Sequence, residues 1–422
     1  NNGNRSSVTD GNGKLSIFGY DALNRLTSSK NPEGGTRFFE YDNGGNVTRE
    51  VNERFVITDH KYGPQNRRSQ TLLDGLMTTF GYDPVGNLTL EGLPNGNAIT
   101  RTYDSLNRLI EVNDLLGQVE KHEYDNNGNL TAQVDANDNR TVYTIDALNQ
   151  ITLETRPIGT IATAYDPVGN VTSKTDLNGN ATLFAYDLLD LVISETDAQG
   201  NATTMTYDAV GNKLTELDRN GNSTAFIYDA LNRLVSQTDA IGSQTFTYDK
   251  NDNQLTATDR RGTTTVNSYD GNNRLLTATR NSILILSRDY DPTGNVQFET
   301  DANGNKTAYL YNDRDLRTTE SRPLAAISQF AYDAADNLIQ IDLPEGRTTQ
   351  RTYDLRNRML TETIAVGSPA EATTTYSYDG NGNQLSEQRP ENNQWDFSYD
   401  TANRLITISD PASGETSYSY DD

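Results

Sequence analysis

Short runs rich in Thr, Val, Leu, Ile, Phe and Tyr, five to seven residues long, alternate along this chain with clusters of Asp, Asn and Gly. Residues 213–217 (Lys-Leu-Thr-Glu-Leu) and 223–228 (Ser-Thr-Ala-Phe-Ile-Tyr) are typical runs. Their composition and length are those of β-strands, and the clusters between them read as tight turns.

The clusters recur at a fixed step. Tyr-Asp stands at Tyr20, Tyr41, Tyr82, Tyr103, Tyr124, Tyr165, Tyr186, Tyr207, Tyr228, Tyr248, Tyr269, Tyr290, Tyr332, Tyr353, Tyr378, Tyr399 and Tyr420. Three degenerate copies, Tyr62-Gly63, Ile145-Asp146 and Tyr311-Asn312, fill the gaps. The step is 20 or 21 residues except between Tyr353 and Tyr378, where it is 25. An insertion around Gly367-Ser368-Pro369, within residues 361–375, accounts for the longer step. Self-similarity of this kind marks a repeat architecture, here about 20 units in a single array over residues 1–422.

Four positions after each tyrosine slot the residue is Gly, Asn or Asp, as at Asn24, Gly45, Gly86, Asn107, Gly128, Gly169, Asp190, Gly211, Gly294, Asn357 and Gly382. These types most readily adopt positive φ. Asp, two free residues and a left-handed residue spell a type I turn closed by a G1 bulge. A second turn of the same kind sits halfway through most units, as at Asp176-Leu177-Asn178-Gly179 and Asp218-Arg219-Asn220-Gly221. Eleven of the 12 prolines fall at the second position of such turns, and Pro369 alone lies in the insertion.

Two residues before the tyrosine slot, 12 of 20 units carry a further aromatic, among them Phe18, Phe39, Phe184, Phe226 and Tyr309. Residues i and i+2 of a strand share a face, so each such unit puts two rings on one side. Cross-strand pairing is expected to stack them on their neighbours. A finer rhythm alternates Asn-Arg units (Asn24-Arg25, Asn107-Arg108) with Gly-Asn units (Gly45-Asn46, Gly128-Asn129), giving a larger period of about two repeats.

Only 34% of the 422 residues are hydrophobic, too few for large globular cores but suited to a wall one sheet thick. The net charge of −24 makes nucleic acid, polyanions and anionic membranes poor partners. Absence of cysteine excludes disulfides, thiolate zinc sites and a cysteine nucleophile. The longest apolar stretch, 283–286, is far too short to span a membrane. The chain opens without Met or a signal peptide, and both ends fall mid-repeat without capping units. A segment of a longer array is therefore expected, with any export signal outside it.

His60 and His122 occupy the aromatic slot and read as wall residues. With no third histidine and no cysteine, neither a zinc site nor a Ser-His-Asp triad is expected. No catalytic, metal-binding or cofactor-binding residue is assigned. Acidic turns such as Asp135-Ala136-Asn137-Asp138-Asn139 lack the closing bidentate glutamate of a calcium loop, and turn chemistry explains them.

The pattern Tyr-Asp-x-x-Gly/Asn-Asn/Arg-Leu-Thr resembles the RHS, or YD-repeat, family over the whole chain. That family includes bacterial Rhs toxins, shell components of Tc insecticidal toxins, wall-associated proteins and teneurins. The resemblance implies an all-β ribbon of tandem antiparallel hairpins that spirals into a hollow shell or tube, enclosing a C-terminal effector in the toxin members. The toxins' Asp-Pro-x-Gly-Leu cleavage site is missing: Asp83-Pro84, Asp166-Pro167 and Asp291-Pro292 are each followed by x-Gly-Asn and read as ordinary turns. About 40 strands spaced about 4.8 Å apart would extend about 190 Å, or coil in one revolution into a cylinder about 60 Å across. The expected function is a non-enzymatic shell segment of a secreted or cell-surface protein, enclosing that protein's own C-terminal domain. An extracellular adhesin contacting glycans or another protein is the alternative. Uncovered edge strands would favour end-to-end self-association.

Overall fold

A computed structural model describes residues 3–412 and 414–420. The chain is all β: forty short strands form one antiparallel sheet, with no α-helix among the described residues. The turns create this arrangement. The residue four after each tyrosine slot has positive φ throughout, from 57° at Asn66 to 115° at Gly86. In the first such turn the Asn24 amide donates to the Asp21 carbonyl at 3.1 Å, and the Asp21 amide donates to the Arg25 carbonyl at 3.0 Å. Strand register slips there by one residue, from Gly19 opposite Ser28 to Tyr20 opposite Leu26. That is a type I turn with a G1 bulge.

Where present, the aspartate holds the turn closed. Asp21 Oδ1 accepts the amides of Leu23 and Arg25, both at 2.9 Å. Many mid-unit turns repeat this geometry, as at Asp176, whose carbonyl accepts the Gly179 amide at 3.1 Å. Several mid-unit turns differ. Asp74-Gly75 and Asn281-Ser282 are two-residue loops with both residues left-handed, joining Leu73 to Leu76 and Arg280 to Ile283. These are type I′ connections, which match strand twist without a bulge. At Tyr62-Gly63, where the aspartate is missing, Gln65 and Asn66 are both left-handed instead.

The chain divides into two compact units. Unit 1 comprises residues 1–98, 244–352 and 363–371; unit 2 comprises 99–243, 353–362 and 372–422. Within unit 1, mid-unit turns of the early ribbon dock on Tyr-Asp turns of the late one. Asn12 donates to Asp249 Oδ2 at 2.8 Å, and Asn251 donates back to Asp10 Oδ2 at 2.7 Å. Arg54 binds the Asn312 carbonyl at 2.6 Å and Asp315 at 2.7 Å. Unit 2 repeats the reciprocal pair, with Asn137 to Asp379 at 2.9 Å and Asn381 to Asp135 at 2.7 Å. Arg356 adds a bidentate grip on Asp114 at 2.6 and 2.9 Å. Ribbons meet again after 237–261 residues in unit 1 and 242–246 in unit 2 through these contacts.

Among the described residues only Val112, Ala132 and Ala278 are buried apolar side chains. A one-layer sheet leaves no interior for a larger core, so hydrogen bonds, turn caps and cross-strand contacts carry the fold. The two faces still differ: Phe226 and Tyr228 are half-buried, whereas Ile227 between them is exposed.

Turn backbone and side-chain packing can be tested apart. A Cβ at Gly128 (φ 94°) meets nothing within 4 Å, whereas one at Gly86 (φ 115°) lies 3.2 Å from Arg67 Nη2. We expect Gly128→Ala to cost about 1 kcal/mol in urea unfolding, from left-handed strain alone. Gly86→Ala should cost more, because it also displaces Arg67. Equal losses would contradict the contact.

Candidate functional site: the tyrosine-aspartate turn row

All Tyr-Asp turns lie along one edge of the ribbon, because each unit adds two antiparallel strands. The tyrosine of one unit reaches back to the unit before. Tyr41 donates its hydroxyl to the Leu26 carbonyl at 2.7 Å, Tyr186 to Val171 at 2.8 Å and Tyr290 to Leu275 at 2.8 Å. The carbonyl chosen lies where ladder pairing has ended. Strand Val171–Thr175 pairs with strand Ala181–Tyr186 only from Ser173 to Thr175, and Val171 lies beyond that stretch. A part-buried carbonyl without a ladder partner is costly, and the phenol satisfies it. Across the insertion the bond persists at longer separation, from Tyr378 to the Met359 carbonyl at 2.8 Å.

Two kinds of forward contact explain the alternation of units. In an Asn-Arg unit the guanidinium holds its own aspartate and reaches the next turn. Arg25 Nε lies 2.7 Å from Asp21 Oδ2, Nη1 donates to the Asp42 carbonyl at 2.9 Å, and the group covers the Tyr41 ring at 4.5 Å. Arg108 does the same with Asp104, Asp125 and Tyr124, and Arg274 with Asp270, Asp291 and Tyr290. In a Gly-Asn unit the amide takes both roles. Asn46 Nδ2 donates to Asp42 Oδ2 at 2.9 Å and to Asn66 Oδ1 in the next turn at 3.1 Å. Asn129 binds Asn149, Asn212 binds Asn232 and Asn383 binds Asn403 in the same way, at 2.7 to 2.9 Å. The left-handed residue in the turn after an arginine is mostly glycine, as at Gly45, Gly86, Gly128, Gly294 and Gly382, although Asp252 follows Arg233. An asparagine is followed by a left-handed Asn or Asp, which supplies an acceptor.

The aromatic slot corrects the expectation of ring-on-ring stacking. Residues directly opposite are often glutamates: Phe39 faces Glu50, Phe184 faces Glu195, Tyr309 faces Glu320 and Tyr376 faces Glu387. The rings meet cations instead, with Lys213 at 5.0 Å over Phe226 and Arg317 at 4.9 Å over Phe330. His60 is buried in this slot, with Nδ1 3.1 Å from Thr71 Oγ1 and Nε2 3.5 Å from Glu50. Burial, with Arg68 adding to it, pushes its pKa below the usual histidine value. His122 sets Nε2 3.4 Å from Glu120 and its ring edge-on to Tyr124. At Asp135 both carboxylate oxygens accept amides, from Asn137 and Asn139 backbone and from the Asn139 and Asn381 side chains. Turn chemistry and ribbon docking thus use that carboxylate.

The family model of the teneurin YD-shell matches residues 76–236 and 262–422, and that of the RHS repeat matches 1–36, 20–54 and 228–264. The chain belongs to the RHS/YD-repeat family. It is similar to the probable deoxyribonuclease RhsB of Dickeya dadantii, 32% identical over 79 residues, which are 19% of this chain and 6% of that protein. Its fold is similar to the crystal structure of TcdB2-TccC3-TEV, with TM-score 0.77 and 15% identity over 93% of this chain and 26% of that one. TcdB2-TccC3 without its hypervariable C-terminal region matches with TM-score 0.53 and 14% identity, over 94% and 29% of the respective chains. At these identities the likeness is one of fold, and the chain spans under a third of either solved neighbour.

The sequence of the YD repeats contained the turn positions but not the reach of their side chains. The tyrosine-to-carbonyl bond leaves no local signal, because its acceptor is any residue type and lies mostly 14 or 15 positions back. Removing one such bond by Tyr186→Phe should cost about 1 kcal/mol and speed hydrogen exchange near Val171 about fivefold. Unchanged exchange would show the bond to be dispensable.

Acid stability follows from the capped aspartates. The Arg25 amide holds the Asp21 carboxyl below the usual carboxylate range, and the side-chain amides of Asn46, Asn129 and Asn212 do so first for Asp42, Asp125 and Asp208. A depressed folded pKa stabilises the fold above the unfolded value and is lost as pH falls through the folded one. The YD array should therefore hold its circular dichroism down to about pH 4 and unfold with multiple proton uptake below it. Unfolding beginning near neutrality, or an intact sheet after every carboxylate has titrated, would contradict this.

Proposed function

We propose that this stretch of YD repeats is a wall segment of a shell that encloses a polypeptide, and that it performs no chemistry of its own. One observation carries the reading: turns more than two hundred residues apart dock on each other within each unit, through Asn-Asp pairs and the Arg356–Asp114 grip. Docking of this kind continues a one-layer sheet sideways without a hydrophobic core. A wall so made is polar on its surfaces and closed along its seams to a protease. It contains cargo by enclosure and not by reading its sequence.

The comparisons support the reading at the level of fold. A solved neighbour retains this fold without its hypervariable C-terminal region, consistent with a shell that serves different C-terminal contents. The likeness to the probable deoxyribonuclease covers 6% of that protein, so the activity in its name is not ascribed to the repeats. Both histidines sit in wall slots beside glutamates, in keeping with a non-catalytic role. A secreted or cell-surface setting, with the parent protein's own C-terminal domain as the cargo, completes the proposal.

The test is protection. An unstructured reporter peptide fused after residue 422 should resist proteinase K longer than the same peptide fused to an unrelated carrier. Protection should fall in the double variant Arg356→Ala, Asn381→Ala, which opens the docked seam of unit 2. A reporter digested at the carrier's rate would defeat the containment reading.

A further inference from the structure

The tips of the Tyr-Asp turns, three positions after each tyrosine slot, fall into two classes. Where a turn docks on another ribbon, its tip is polar. In unit 2 Arg356 grips Asp114 and Asn381 binds Asp135; in unit 1 Asn251 binds Asp10. Where the turn row faces outward in unit 2, the tips are apolar and open. Leu148, Val168, Leu189, Val210 and Leu231 stand on five consecutive turns and are 62–76% exposed. Leu106, two turns earlier and 63% exposed, extends the row beyond the polar tip Asn127.

These side chains form a line. Each unit adds two strands, so successive tips stand about 10 Å apart and the five span about 40 Å. The turn aspartates beside them do not make the row polar, because their carboxylates are engaged: Asp166 and Asp208 each bind their own turn amides and the Asn side chain that follows. A single file of apolar knobs with knob-wide gaps is complementary to itself. A second row, antiparallel and offset by half a step, would seat its knobs in those gaps, as an isologous two-fold contact requires.

We infer that this row is a homodimer interface, and that its occupant is the same row of a second copy of the chain. The area is of the right size. Six tips at roughly 100 Å² each remove about 600 Å² per protomer, close to the roughly 800 Å² per partner of a stable complex once the turn backbones are included. Anionic or polyanionic partners are disfavoured by the chain's net charge of −24. The same charge opposes self-association, so the contact is apolar with a repulsive background and tightens as salt screens that background. This contact is separate from pairing of edge strands, which would use backbone groups and ignore the tips.

The test is light scattering and sedimentation of the 422-residue protein over a micromolar concentration series. A dimer is expected, strengthened by salt. Replacing Leu148, Val168, Leu189, Val210 and Leu231 together by Asn should weaken it more than about 100-fold. Asn is the native residue at tips 127 and 251, so circular dichroism should be unchanged. A control variant, Leu324→Asn, alters a fully exposed leucine on a mid-unit turn and should leave the dimer intact. The inference is overturned by a wild-type monomer at all concentrations, or by a dimer that survives the fivefold variant and so belongs to the strand edges. Tip-dependent binding to phosphatidylcholine vesicles without a dimer would also overturn it, giving the row to lipid.

Discussion

Most hairpins here depend on one Asp or Asn side-chain oxygen accepting backbone amides across a turn whose last residue is left-handed. The bond network at Asp21 shows the constraint. One oxygen takes the amides of Leu23 and Arg25, and the other takes the Arg25 guanidinium. With the carboxylate so held, the backbone can only reverse, and the G1 bulge tips the next strand into antiparallel register. A sheet built from such reversals needs no core, which is why so few apolar side chains are buried.

The second level of order is lateral. Most turns bind the following turn through either an arginine or an asparagine, and the asparagine fixes the residue type next in line. Arginine reaches the next turn's backbone carbonyl, so that contact asks for no side chain there, and the residue is mostly glycine. Asparagine demands an acceptor, which Asn66, Asn149 and Asn232 supply. A two-repeat period is the simplest sequence that alternates the two kinds of forward contact. The tyrosine hydroxyl stitches the same units from the strand side, and the guanidinium over the next ring ties the two stitches together.

The third level joins ribbons. Docked turns exchange Asn-Asp hydrogen bonds, while five consecutive open turns of the same row in unit 2 carry Leu or Val at their tips. One repeat scaffold thus presents polar seams and an apolar ridge by changing a single position per unit. A containing wall and an assembly surface are compatible on this scaffold, because the first uses covered turns and the second uses open ones.

Much of this was legible in the chain itself. Tyr-Asp at a fixed step, Gly, Asn or Asp four residues on, and proline at second turn positions specify hairpins, because turn chemistry acts over a few residues. The Asn-Arg and Gly-Asn rhythm was visible as well, but its cause was not, since it lies in contacts between turns about 20 residues apart. The aromatic slots were located correctly, yet their partners proved to be glutamates and cations, because cross-strand register decides what each ring faces. Which distant turns meet, and hence which tips are covered, was beyond the reach of sequence. That outcome depends on twist accumulated over some twenty strands, where small angles at each bulge add up to the separation at which one ribbon finds another.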